Sequence, residues 1–500
     1  MKILHLFAPG LLTVVLITLP APFATQEPST TAGRRAPHAL SSDPSIAMLQ
    51  KDIPALMQQA VVPGLTVALV RNGQPQLLLN FGVRNSETKQ PVTDDTIFEA
   101  ASLSKPVFSY AVLKLVDQGK LGLDVPLAAY LRKPYIENDG RLAKITARIV
   151  LSHRTGFPNW RGDGHPLTIN FTPGERFSYS GEGFVYLQTV VEEITGKPLN
   201  EVMSELVFTP LGMNSSSYVW RPDFDERTAT GHDADALTNK LWKPDHANAA
   251  SSLNCTARDY ALFLAAILNG AGLKPSTLRE METPQIAVDP ACTNCTDHAP
   301  KALSKNIFWG LGWGIEQQGN SNRLWHWGDN GAFKCFVVAD PAQKTAVVML
   351  TDSENGLAIA PAVFREATGR APLAFSSNWL KYDAYDSDSM RFAKILHEKG
   401  ADSAIQQFGA SLKNGAISED SINSLGYRLL SQKRVADAIR IFKLNTDLHP
   451  DSANTYDSLA EAYMDSGDKT LAVQFYEKSI ALNPGNENAI TQLKKLRSPP

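Results

Sequence analysis

Apolar residues recur every three to four positions over residues 46–60 and again over 107–118, the spacing of helices with one buried face. Between these stretches lie two β-rich apolar runs, 65–70 and 76–83, separated by Arg71-Asn72-Gly73. Asn-Gly between two such runs predicts a tight hairpin, because both residues accept the left-handed backbone that the turn requires. A helical and loop-rich middle follows over 102–280. Strand-like runs then return at 309–316, 323–327, 334–339 and 345–351. Strands at both ends of a helical middle predict an α+β domain built on an antiparallel sheet.

Beyond residue 386 the pattern changes. Leu425, Leu429, Ala438, Phe442 and Pro450 recur as Leu459, Tyr463, Ala472, Tyr476 and Pro484, each 34 residues later. That period, with a small residue where two helices cross and proline after the second, is a tetratricopeptide signature. The expectation is an all-α, tetratricopeptide-type repeat region over 386–497, with 392–412 as a weaker capping pair and the boundary near 385–389. Two clear repeats are fewer than usually stand alone. They are therefore expected to pack on the preceding domain or on another copy, and to offer a surface for a protein partner or self-association.

The amino terminus carries Lys2, an apolar stretch from Leu11 to Leu19, and small residues at Ala21 and Ala24. This is the layout of an export signal over 1–24, too short for a comfortable membrane span, followed by a Thr/Ser/Pro/Ala-rich linker over 25–42. An exported, periplasmic or extracellular protein is expected, with no stable membrane span once the signal is cleaved. The formal charge of −3 and the lack of a basic cluster give no electrostatic basis for a nucleic-acid partner. Of the four cysteines, Cys292 and Cys295 can pair with each other or with Cys255 and Cys335, stay free, or hold a metal together with His298. No second ligand cluster accompanies them, so neither a metal nor a cofactor is expected.

The chemistry centres on Ser102-Leu103-Ser104-Lys105. Residues three apart on a helix share a face, which brings the serine hydroxyl and the lysine amine together. Pro106 fits only near a helix start, where its missing N–H is not needed. A serine there meets the positive end of the helix dipole, and a desolvated lysine beside it can act as base.

Taken with Phe98-Glu-Ala-Ala101, Leu151-Ser-His-Arg-Thr-Gly156, Pro173-Gly-Glu-Arg-Phe-Ser-Tyr-Ser180, Gly310-Leu-Gly-Trp-Gly314 and His326-Trp-Gly328, this motif gives the chain its resemblance to a known superfamily. The sequence resembles the serine β-lactamase and penicillin-binding protein superfamily in its class C-like branch. The resemblance implies a hydrolase domain over 43–375 with a five-stranded antiparallel sheet flanked by helices. It implies Ser102 as nucleophile, Lys105 and Tyr179 as proton-transfer groups, and His326 in place of the lysine of K-T-G. Tyr179 is expected to have a depressed pKa, and His326 to titrate near its ordinary value. Gly328 would admit a substrate backbone, Asp329 would add an oxyanion-hole N–H to that of Ser102, and Asn330, Trp327 and Lys334 would line the pocket. Trp160 is a further candidate for an apolar wall. The family pattern is Y-x-N, but this chain has Tyr179-Ser180-Gly181. The implied activity is hydrolysis of a small-molecule or short-peptide substrate through an acyl-enzyme, with esters and D-amino-acid peptides favoured over β-lactams. The alternative is a non-catalytic scaffold whose repeats are the working part.

Overall fold

The computed structural model describes residues 43–162, 164–319 and 321–497. The expected export signal and linker, 1–42, lie outside them. Among the described residues no helix is long and apolar enough to cross a membrane.

The Asn72-Gly73 turn joins β1 (Gly64–Arg71) to β2 (Gln74–Gly82) with both turn residues at positive φ, 51° and 67°. Two short strands, β3 (Phe98–Glu99) and β4 (Asn254–Cys255), pair with each other apart from the main sheet. The remaining strands are β5 (Ile286–Ala287), β6 (Ile307–Trp309), β7 (Gly314–Gln318), β8 (Ser321–Asp329), β9 (Lys334–Asp340) and β10 (Thr345–Thr351). They assemble in the order β2-β1-β10-β9-β8-β7-β6-β5, antiparallel throughout.

The sheet therefore has eight strands, not the five expected. The extra strands come from segments too short to show alternation. In addition, the run at 309–316 is two strands, separated by a turn in which Gly312 takes φ +83°.

Both faces of the sheet are covered, which is why β1 reads as a continuous apolar run. Ala68, Val70, Val337, Val348 and Leu350 face a core that includes residues of the helices Ser104–Asp117, Gly181–Thr195 and Ala257–Asn269. Leu65, Val67, Phe336, Val347 and Met349 face the helices Pro44–Ala60 and Ala360–Thr368.

Helical pairs follow: Asp388–Lys399 with Ala401–Lys413, Glu419–Ser431 with Val435–Leu448, and Ala453–Ser466 with Lys469–Leu482, closed by Glu487–Arg497. Leu425, Leu429, Ala438, Phe442, Leu459, Ala472 and Tyr476, seven of the ten residues that carry the 34-residue period, are buried, as their spacing requires. This region packs against the sheet-bearing part of the chain. Lys394 Nζ donates to the Gln58 carbonyl at 2.9 Å, and Gln432 Nε2 donates to Asp235 Oδ2 at 2.6 Å. The connection between the two regions does not hang free. Trp379 and Leu380, beyond the 43–375 span expected, are buried in the second core, and Tyr382, Tyr385 and Met390 pack on it.

Candidate active site

Ser102 lies on a single 3₁₀ turn, Ala101–Leu103, immediately before the helix Ser104–Asp117. Ala101, which precedes it, is held at φ +50°, a left-handed backbone that costs a non-glycine residue about 1–3 kcal/mol. Neighbouring groups fix this conformation. Ala100 N–H donates to the Leu253 carbonyl (2.8 Å), and Ser104 Oγ donates to the Ala101 carbonyl (2.6 Å). Leu253 N–H in turn donates to Ser104 Oγ (3.0 Å). The hydroxyls of Tyr218 and Tyr260 cap the carbonyls of Ser104 and Leu103. Pro106 falls in the first turn of the helix, where no N–H is required.

Lys105 is fully buried, with Nζ 3.1 Å from Ser102 Oγ and 2.8 Å from the Ala250 carbonyl oxygen. It lies 4.7 Å from the centre of the Tyr179 ring. Among the described residues no carboxylate pairs with it, and burial holds the amine well below the ordinary lysine range.

Tyr179 is placed through its backbone and its ring. Its N–H donates to the Thr293 carbonyl at 2.9 Å, and its ring stacks on His153, with centroids 4.3 Å apart, and tilts against Trp327 at 4.6 Å. Its hydroxyl is buried without a hydrogen-bond partner among the described residues. Burial raises the phenol's pKa, and the nearby Ser102 hydroxyl opposes the rise without reversing it. The depressed phenol expected from the sequence is therefore not what the fold produces. Burial outweighs every opposing contact at this phenol.

The motif Leu151–Gly156 assigns no role to His153. It sits at φ +53°, buried, and accepts the Ser180 N–H on Nδ1 at 3.0 Å. Ser180 in turn caps the helix Gly181–Thr195 through Oγ. The histidine thus ties the start of that helix to the underside of the Tyr179 ring. Burial, then Lys105 and His326, keep its pKa well below the ordinary value.

The β8 residues lie differently from expectation. His326 is completely buried, Nδ1 2.7 Å from the Trp327 carbonyl oxygen and Nε2 unpartnered among the described residues. Burial, with Lys105 adding to it, pushes its pKa down to about 3, so it is neutral at pH 7 rather than titrating near 6.5. It does not line the cavity beside Ser102. Nor does Gly328, whose missing side chain is explained by its own chain. A Cβ there would stand 2.6 Å from the Ala100 carbonyl oxygen and 3.1 Å from Ala101 Cβ. Lys334, also outside the cavity lining, forms a salt bridge with Asp329 at 2.5 Å. Asp329 further accepts from Gly331 N–H (2.9 Å) and the Tyr382 hydroxyl (2.7 Å).

Ser102, Tyr179, Trp327, Asp329 and Asn330 do share one cavity, of about 590 Å³. Ser251 and three further segments complete its walls, and of these residues the sequence points only to Trp160. One is Asn159 with Trp160, the latter 46% exposed. The second is the loop 291–294, closed by a disulfide between Cys292 and Cys295, while Cys255 and Cys335 are free and buried. The third is 379–382, part of the connection to the helical region. Among the described residues no group of three or more His, Cys, Asp or Glu side chains is arranged to hold a metal. Glu99, just outside the cavity, accepts from Asn330 Nδ2 at 3.1 Å, and burial raises its pKa to about 7. A serine hydroxyl against a buried amine of lowered pKa, with a neutral phenol alongside, is an arrangement suited to proton transfer during acyl transfer.

Comparison with known proteins points the same way. The family model described as Beta-lactamase matches residues 49–367. Esterase EstB of Burkholderia gladioli is 30% identical over 223 residues, 38% of this chain and 56% of that protein. Penicillin-binding protein 4 of Amycolatopsis lactamdurans is 25% identical over 343 residues, 64% of this chain and 88% of that one. The match therefore spans little more than half the length of the esterase. Among solved structures, the octameric penicillin-binding protein homologue from Pyrococcus abyssi superposes with a TM-score of 0.54 at 22% identity, covering 71% of this chain and 82% of that one. The D-alanine carboxypeptidase AmpC from Burkholderia cenocepacia gives 0.53 at 19%, covering 65% and 99%. At these identities the structural likeness speaks to the fold.

Proposed function

The chain belongs to the beta-lactamase family, and from that premise we propose that it is a serine hydrolase of the class C-like branch, acting through an acyl-enzyme on Ser102. The observation that carries the proposal is the Lys105 amine, buried without a carboxylate partner among the described residues and 3.1 Å from the Ser102 hydroxyl, its pKa lowered by that burial. In the forward step Ser102 Oγ attacks the substrate carbonyl carbon as its proton passes to Lys105 Nζ. The backbone N–H groups of Ser102 and Asp329 receive the oxyanion, with β8 brought up to the nucleophile turn by the close approach of Gly328 to Ala100. The bond from carbonyl carbon to leaving group then breaks. Tyr179, whose raised pKa keeps it a proton donor, protonates the leaving group and recovers the proton from Lys105. Water completes the cycle by hydrolysing the Ser102 ester.

Esters and D-amino-acid peptides are favoured over β-lactams. His326, at the position of the K-T-G lysine, is neutral and walled off, and the charge of Lys334 is met by Asp329. The wall at Lys381 is exposed, so a cation meets substrate only at the rim. The similarity to EstB, an esterase by name, agrees with this preference. The helical pairs act as tetratricopeptide repeats that recruit a protein partner or a second copy, and residues 1–24 direct export.

A fluorophosphonate probe tests the central claim. It is expected to label the wild type and not Ser102→Ala. A folded wild type that resists labelling would favour the scaffold role instead. A panel of p-nitrophenyl esters, D-alanyl peptides and a chromogenic cephalosporin then ranks the substrates, with the cephalosporin expected last.

A further inference from the structure

Three asparagines line the cavity beside Ser102, and they are not equivalent. The Nδ2 group of Asn330 is committed, to Glu99 Oε2 at 3.1 Å and to the Ser251 carbonyl at 3.2 Å. Asn294 is exposed on the disulfide-closed loop. Asn159 is half-buried and held in place. Its Oδ1 accepts the Gly181 N–H at 3.0 Å, while its own carbonyl accepts from Gly181 (3.0 Å) and Glu182 (3.1 Å). The carboxamide is thereby oriented from its oxygen end, and its Nδ2 makes no hydrogen bond among the described residues.

The fold also prevents residue 181 from supplying such a group itself. A Cβ on Gly181 would lie 2.6–2.9 Å from the six-membered ring of Trp160. The indole occupies the space that a side chain two residues after Tyr179 would need. An amide donor can reach this side of the cavity from residue 159 instead.

We propose that Asn159 is the substrate-positioning donor of this site, its Nδ2 hydrogen-bonding a second carbonyl of the substrate's acyl part. The preferred substrates are then N-acylamino esters or amides, whose additional amide carbonyl lies close to the scissile bond, rather than plain fatty esters. The assignment rests on Ser102 being the nucleophile, as proposed above. An oriented neutral donor of this kind contributes on the order of a tenfold preference.

The test compares kcat/KM for the p-nitrophenyl esters of N-acetylglycine and of butyric acid, in the wild type and in Asn159→Asp. The aspartate keeps an oxygen for the Gly181 N–H and removes the donor. The wild type is expected to prefer the acetylglycyl ester by about tenfold, and Asn159→Asp to bring the ratio close to one with an unchanged Tm. A purely structural role would slow both esters alike and leave the ratio standing, which would overturn the assignment, as would a wild type without the preference. Fluorophosphonate labelling of Ser102 in both proteins separates the two levels. Retained labelling with an unaltered ratio sinks the role of Asn159 alone, whereas a wild type that neither labels nor turns over either ester sinks the hydrolase function and this inference with it.

Discussion

The nucleophile turn and the β8–β9 hairpin each bury a lysine, and they treat it in opposite ways. Lys105 has a serine hydroxyl, a backbone carbonyl and an aromatic face around it, and no carboxylate among the described residues. Lys334 has Asp329 at 2.5 Å, itself held by Tyr382. Removing a charge from water without compensation disfavours the charged form, as burial does for Lys105. The first lysine thus suits the proton transfer proposed for it, and the second holds a wall in position. Sequence position alone would not separate them.

The largest expected effects sharpen this contrast at the first lysine. Ser102→Ala and Lys105→Met are each expected to lower turnover by on the order of 10⁴-fold or more, measured as kcat/KM on the best ester. Stability should move the other way for Lys105→Met. The folded amine has a lowered pKa, so between that value and the unfolded one of about 10.4 the unfolded chain binds the extra proton and the wild type gains stability as pH rises. Lys105→Met lacks that dependence. It should melt above the wild type at pH 7, with an advantage that shrinks towards pH 10. Lys334→Met should melt below the wild type, by about 1–3 kcal/mol, because it strips Asp329 of its ion pair. Equal shifts in Tm for the two variants would break the comparison.

Tyr179→Phe comes next. It should reduce kcat by about 10²–10⁴-fold while leaving the melting temperature level or higher, since the hydroxyl it removes is buried without a hydrogen-bond partner among the described residues. Gly328→Ala tests the packing between the two regions. Its new methyl would press on the Ala100 carbonyl, and a loss of about 1–3 kcal/mol in chemical denaturation is expected together with slower labelling of Ser102. The smallest effect belongs to Tyr382→Phe, which frees one oxygen of Asp329. A change of about threefold in KM, with kcat held, is expected.

Much of this molecule is legible along the chain where the information is local. The Asn72-Gly73 hairpin, the helix after Ser104 and the 34-residue period each follow from the preferences of neighbouring residues. The three-residue spacing of Ser102 and Lys105 likewise brings them together before any tertiary structure is known. Strands β5 and β6 escape notice because two or three residues cannot display a period of two. The walls of the cavity escape for a different reason. Asn159, the loop 291–294 and the segment 379–382 come from distant parts of the chain and meet Ser102 only when the sheet and its helices have packed. His326 and Gly328 show a third kind of gap. Their motif is readable, yet burial turns the histidine into a neutral packing group and gives the glycine a partner within its own chain.

The bond between Cys292 and Cys295 lies one residue from the carbonyl that anchors the Tyr179 backbone. Disulfides persist in oxidising compartments and are dismantled by cytosolic thiols. The posture of the proposed proton donor is therefore tied to where the chain resides. Folded outside the cytosol, the loop is a cross-linked wall. Retained inside, it would be an open four-residue turn, and the same sequence would carry a looser candidate site.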